Sequence, residues 1–249
     1  AVGRVLHVDD VERLEFYARL LTEATAPDPS TCDDRGCRLL RMLVIPLLSQ
    51  VATRAMSLQD GCHLLWKHPQ VPRELREVIA LRASQRSHVT QPLEFGTRIP
   101  LHVHASYARS EILAAFGVGD GAQEVTWREG VRWVPGERTD VFLITSDKTT
   151  GQFSPTTRYR DHAMSRTLFH WESQSRTTSA SPSGRRYQTH VAGNSSVVLF
   201  ARHRQDDRAF VCLGPATYVR HEGECPMQVT WRLHVPIPAD AMGWLAVAA

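Results

Sequence analysis

Apolar residues Val11, Leu14, Phe16, Leu20 and Leu21 recur at helical spacing behind Asp9 and Asp10, either of which can cap a helix start. A Pro, Asp and Ser break at 27–34 ends that stretch. Further helices are expected at 36–50, interrupted by Pro46, at 56–66, and at 73–86 after Pro72. From residue 97 the pattern changes to short alternating runs: Ile99–His104, Val125–Val134, Asp140–Thr145, Thr167–Gln174, Arg186–Val191, Ser196–His203, Ala209–Leu213, Thr217–His221 and Gln228–Val235. Two helices are expected to interrupt this series. One starts from a Ser106 cap and carries Ala108, Ile112, Ala115 and Phe116 on one face to a stop at Gly117; the other runs from Thr156 and Thr157 through Tyr159 to Ala163. Between strands, Arg176–Gly184 reads as a flexible polar loop. The pattern predicts an α+β chain, with a helical part over 1–96 and a mostly β part over 97–249 whose strands form a barrel or sandwich.

With 249 residues, 42% of them hydrophobic and 22% charged, the chain can bury a real core, which excludes disordered, collagen-like and small disulfide-scaffold classes. No run approaches the roughly 18 apolar residues that span a bilayer, so no membrane role is expected. The opening Ala1-Val2-Gly3-Arg4 has neither an initiator Met nor the apolar region of a signal peptide, and the expectation is a cytoplasmic piece of a longer polypeptide.

Charge sharpens this outline. Lys67 and Lys148 are the only lysines among 29 basic residues, so the surface is built from arginine, whose planar fork suits phosphates and guanine edges. Residues 1–30 set three arginines against six acids, a net of −3. Residues 151–190 set Arg158, Arg160, Arg166, Arg176, Arg185 and Arg186 against Asp161 and Glu172, a net of +4. A basic segment with interleaved aromatics is the electrostatic footprint of a nucleic-acid surface, and also that of a solvated charged face.

Signatures of several chemistries are missing: no phosphate-cradling G-x4-GK[ST], no G-x-G-x-x-G, no HExxH and no G-x-S-x-G occurs. The five cysteines form no CxxC pair; Cys32 and Cys37 flank an Asp-Asp-Arg-Gly turn, and with Cys62-His63 they make a conceivable ligand set, though reduced thiols are the simpler reading. His102-x-His104 places two imidazoles on one strand face, which His170 or Glu172 could complete as a metal-dependent site. No metal or cofactor is expected, nor any catalytic residue.

One stretch stands out. If 168–174 is a strand, Phe169, Trp171 and Ser173 face one way and His170, Glu172 and Gln174 the other. A flipped nucleobase needs aromatic or apolar walls and a few matched donors and acceptors. Tyr107, Tyr159, Phe169 and Trp171 are candidate walls; Asp161, His170 and Gln174 are candidate polar contacts, an aspartate being suited to accept from the cytosine amine. Arg109, Arg158, Arg160, Arg176, Arg185 and Arg186 are candidate DNA contacts.

These residues also carry a resemblance. The combination of His102–Phe116, Phe153–Asp161, Phe169–Gln174, Val198–Phe200, Leu213-Gly214 and Glu222–Met227, with Arg4–Asp10 at the start, resembles a domain of unknown function from the C-terminal end of bacterial superfamily-2 helicases, often found behind a phospholipase-D-type nuclease. In proteins of that architecture the region is similar to the target-recognition module of type IV, modification-dependent restriction systems. The resemblance implies a PUA-type, SRA-like pseudo-barrel that binds double-stranded DNA and flips out a modified cytosine. It also implies helicase and nuclease parts, fused or associated, and no nuclease or ATPase activity in this chain. Two alternatives stay open. A phosphorothioate reader would need an apolar dent beside cations, which loops at Pro155 or Pro182 could form; a regulatory domain would dock to a helicase without touching DNA.

Overall fold

The computed structural model describes residues 2–52, 56–86, 89–94, 98–146 and 161–246. Their contacts divide the chain into two compact units, Ala1–Arg128 and Glu129–Ala249, whereas the sequence pattern changes earlier, at 96/97. None of the described helices is long and apolar enough to cross a membrane.

The first unit is helical, with α1 (Val11–Leu20), α2 (Asp34–Leu48), α3 (Leu58–Trp66) and α4 (Gln70–Ser84), the short strands β1 (Gln91–Pro92), β2 (His102–Val103) and β3 (Ser106–Ala108), and α5 (Arg109–Ala115). The expected Asp10 cap forms: its carboxylate accepts the Arg13 N–H at 2.8 Å. Asp33 and Ser57 cap α2 and α3 in the same manner. Pro46 does not interrupt α2, which runs on to Leu48 with Pro46 buried on its inner side. Two apolar clusters hold these helices, one around Leu14, Tyr17, Leu43, Leu75 and Ile79, the other around Leu40, Val44, Cys62 and Leu65. The Ser106 cap is corrected. Ser106 lies in β3, where its N–H donates to Asp9 at 2.9 Å, and α5 starts at Arg109 with the Glu111 carboxylate accepting the Ala108 N–H at 2.6 Å.

At the centre of this unit is a buried ionic network. Arg13 has no exposed surface; it donates to Asp10, to Glu111 at 3.2 Å and to the Ser106 carbonyl at 2.6 Å, with its guanidinium 4.0 Å from the centre of the Tyr107 ring. His7 pairs with the same Glu111. Burial opposes ionisation of Glu111, but the nearby His7 and Arg13 hold its carboxyl below the ordinary value.

The second unit contains β4 (Val131–Val134), β5 (Thr139–Thr145), β6 (His162–Ala163), β7 (Leu168–Glu172), α6 (Pro182–Thr189), β8 (Ser196–Arg202), β9 (Ala209–Glu222), β10 (Gln228–Leu233) and α7 (Ala239–Leu245). Its strands pair as an open path in the order β4-β5-β8-β9-β10-β7-β6, with β5 and β8 parallel and the other pairs antiparallel. β5 and β8 are buried along almost their whole length, as central strands covered on both faces must be. The α+β class holds, with a large mixed sheet. The two runs expected at 209–213 and 217–221 are one strand that carries a left-handed Gly214, φ +89°, in its middle.

Two expectations fail at α6. Arg186–Thr189 of the strand expected at Arg186–Val191 and the last three residues of the loop expected at Arg176–Gly184 are in this helix, started by Ser181, whose hydroxyl accepts the Gly184 N–H at 3.1 Å, with Pro182 in its first turn. Gly184 is required there by close approach, since a Cβ would stand 2.0 Å from the Thr178 carbonyl oxygen. α6 is pinned to the sheet by Arg186, which grips the buried Asp140 of β5 with two bonds at 2.6 and 2.8 Å while lying 4.4 Å from the centre of the Trp133 ring. The helix expected from Thr156 lies mostly outside the described residues; its end, His162–Ala163, is strand β6.

His190 closes α6 onto β9. Its Nδ1 donates to the Ser195 carbonyl at 3.3 Å, which leaves Nε2 to accept the Tyr218 N–H at 3.1 Å. Burial holds this imidazole below its ordinary value of 6.5, in keeping with the unprotonated Nε2 that accepts the Tyr218 N–H.

Two outcomes follow for stability. Arg13→Met leaves the buried Asp10 without its guanidinium partner and Glu111 with His7 alone, and is expected to destabilise the first unit by about 3–5 kcal/mol in urea unfolding. A loss under about 1 kcal/mol would contradict the network's role. For His190, the folded pKa is depressed, so its stabilising contribution is fully present above the unfolded value of 6.5 and is lost as pH falls through the lower folded value. His190→Gln is expected to flatten the fall in melting temperature of the second unit between pH 7 and pH 5; an unchanged slope would assign that fall elsewhere.

Candidate nucleic-acid interface

Strand alternation puts opposite chemistry on the two faces of β7. Phe169 and Trp171 are buried inward, as is Ser173 just beyond the strand, while His170 and Glu172 are half-buried on the other face, as the sequence pattern predicts. The inward rings belong to an aromatic core around Phe142, whose centroid lies 4.7 Å from Trp171, 5.4 Å from Tyr187 and 5.4 Å from Trp231. Phe169 has no exposed surface and Trp171 only 6%, so both serve as packing beneath the strand.

The outer face collects polar groups that lie close together at the edge of the sheet. β6 pairs with β7 so that His162 stands opposite His170, their rings 5.0 Å apart. Glu172 Oε1 is 3.9 Å from His170 Nε2, and the Glu172 N–H donates to the carboxylate of the buried Asp161 at 2.9 Å. On the other side of β7, β10 places Thr230 opposite His170 and Gln228 opposite Glu172. Burial, and next the neighbouring His162, hold the His170 imidazole below its ordinary value. The resulting patch has carboxylate acceptors and an imidazole whose neutral form burial favours, on a hairpin packed against the aromatic core.

Of the residues expected at a base pocket, Asp161 and His170 therefore meet. Gln174 lies just past the end of β7 and is exposed. Tyr107 belongs to the first unit, where it is buried and its hydroxyl accepts the His102 N–H at 2.8 Å. Tyr159, Arg158 and Arg160 lie outside the described residues. Arg176 and Arg185 are exposed. Arg186 is committed to Asp140, and Arg109, in the first unit, donates to the Trp127 carbonyl. His162 was missed by sequence reasoning because the segment reads as helical; the signal available was its place eight residues before His170, across a short turn containing Ser165.

The other clusters suggested by sequence do not assemble. Among the described residues no three His, Cys, Asp or Glu side chains gather as a metal site. Cys62 is buried in an apolar cluster that pushes its thiol up to about 12. His102 instead donates to Glu12 at 3.0 Å, at one end of a cleft of about 550 Å³ in the first unit. Burial opposes ionisation of Glu12, but hydrogen bonds from His102 and Arg35 hold it at about 2. His104 follows β2 in a left-handed turn, φ 70°, so the two imidazoles do not form a strand pair.

Residues 101–244 match the family model described as "Domain of unknown function (DUF3427)". No curated protein matches the chain. Among solved structures it is similar to the DNA modification-dependent restriction endonuclease AspBHI, with 13% identity over 59% of this chain and 84% of that one and a TM-score of 0.35. It is also similar to Arabidopsis thaliana SUVH6 in complex with SAM, with 10% identity over 94% of this chain and 41% of that one and a TM-score of 0.39. Both are distant likenesses. Matched over more than half of its length, the chain belongs to the DUF3427 family.

Proposed function

We propose that this chain is a DNA-recognition module of a modification-dependent restriction system, and that the outer face of β6 and β7 reads a flipped cytosine carrying a 5-methyl or 5-hydroxymethyl group. The observation that carries this reading is the convergence of Asp161, His162, His170 and Glu172 on a rigid edge hairpin. Cytosine presents an amine donor at its Watson–Crick edge, which a carboxylate accepts, and beside it an acceptor that a neutral imidazole can satisfy. The lowered basicity of His170 suits the second contact at neutral pH. Phe169 and Trp171 then act from below, holding the strand that presents the polar groups, and the exposed Arg176 and Arg185 contribute phosphate contacts that position the duplex without reading sequence. Extruding the base costs a few kcal/mol, which these edge contacts and stacking must offset. One methyl contributes only about 0.8 kcal/mol by burial, so selectivity requires a close-fitting surface around it.

The test is anisotropy binding to matched duplexes with cytosine, 5-methylcytosine, 5-hydroxymethylcytosine or a phosphorothioate linkage. Preference for one modified cytosine is expected, with His170→Ala and Glu172→Ala each reducing that preference at least about tenfold, or about 1.4 kcal/mol. Arg176→Ala and Arg185→Ala are expected to weaken all duplexes alike and to lower the salt slope by about 1 each. Equal binding to all duplexes overturns the base-reading assignment, preference for the sulfur-modified duplex moves the mark to the backbone, and no binding at low salt makes the chain a docking domain.

A further inference from the structure

We propose that Cys32 and Cys37 are a covalent modification site, a dithiol that low-molecular disulfides convert to an intramolecular bridge at the start of α2. Cys32 ends the 3-10 turn Pro29–Thr31, and Cys37 sits in the first turns of α2 beyond its Asp33 cap. The turn folds both thiols toward the same backbone. Cys37 Sγ donates to the Pro29 carbonyl at 3.2 Å and lies 4.0 Å from the Cys32 carbonyl oxygen; Cys32 Sγ lies 4.0 Å from the Asp28 carbonyl oxygen. Cys32 lies against the first turn of α2, since a Cβ on Gly36, the residue before Cys37, would stand at ordinary contact distance, 3.5 Å from Cys32 Cβ and 3.9 Å from its sulfur. A bridge needs Cβ atoms about 3.8 Å apart, a separation that the backbone sets while side-chain rotation swings the sulfurs; Cys32 is already close enough to Cys37 to hold its thiol, after burial, above the ordinary value.

The other cysteines differ. Cys62 and Cys212 are buried, whereas Cys32 and Cys37 are half-buried and open to a small reagent. Cys225 is exposed but has no cysteine neighbour within its own turn. In the reaction, the Cys32 thiolate attacks one sulfur of the disulfide RSSR, forming Cys32–S–SR and releasing RS⁻. The Cys37 sulfur, losing its proton to solvent, then attacks the Cys32 sulfur and expels the second RS⁻. Two protein thiols are oxidised and one RSSR is reduced to two RSH. The bridge ties the 3-10 turn to the segment that supplies Asp33, Arg35 and Gly36 to the wall of the Glu12 cleft.

The test uses the full chain with Cys225→Ser, so that exposed-surface dimers do not intervene, treated with oxidised glutathione. Alkylation under denaturing conditions is expected to label two cysteines after treatment where it labels four before, with peptide mapping joining Cys32 to Cys37 and dithiothreitol restoring all four. In the Cys37→Ser variant the reaction is expected to stop at a glutathione adduct on Cys32. Four labelled cysteines after treatment, stable glutathione adducts on both Cys32 and Cys37, or a bridge between other partners would each overturn the assignment.

Discussion

Arg13 carries a full charge with no access to solvent, and the first unit is organised by the need to compensate it. Removing a guanidinium from water costs several kcal/mol, which is recovered only if every donor finds a partner in good geometry. Asp10 is one residue outside α1, Glu111 is in the first turn of α5, and the Ser106 carbonyl belongs to β3. The arginine thereby fixes the helix start, the strand and the second helix to one another at a single point. The two carboxylates have double duty: Asp10 also caps α1 and Glu111 also accepts the Ala108 N–H. Helix initiation and charge compensation in this unit are one event.

In the second unit aromatic packing holds the corresponding place. Phe142, Trp171, Tyr187 and Trp231 come from β5, β7, α6 and β10, so a single cluster joins the parallel centre of the sheet to its edge hairpin and to the helix that covers it. The bidentate Arg186–Asp140 pair and His190 fix the middle and the C-terminal end of that helix with directional bonds. The consequence is mechanical: Phe169 and Trp171 fill the core below His170 and Glu172 and so hold β7, which β6 and β10 flank, against sliding and twisting.

Division of labour among the arginines also becomes clear. Their number suggested a DNA surface, yet Arg13, Arg186 and Arg109 direct their forks at protein groups, while Arg176 and Arg185 face solvent. The same geometry that suits a phosphate suits a buried carboxylate or carbonyl. Composition reports the supply of guanidinium groups and leaves their use to position.

Local rules made much of the fold legible. The Asp10 cap, the helical spacing of the first unit and the strict alternation from Phe169 to Ser173 follow from hydrogen bonding and side-chain direction within a few residues, and each is present as read. Where the sequence misled, distant partners decided. The short alternating run Arg186–Val191 suggested a strand, but Asp140 and the aromatic core recruit most of that stretch into a helix behind Ser181-Pro182. His162 joined the candidate site only because pairing with β7 brings it opposite His170. The chain by itself determined which residues carry polar chemistry and which face of β7 they share, because alternation is a property of the extended backbone. Only the tertiary structure decided which of them meet and which arginines remain exposed, because those outcomes depend on partners far apart along the chain.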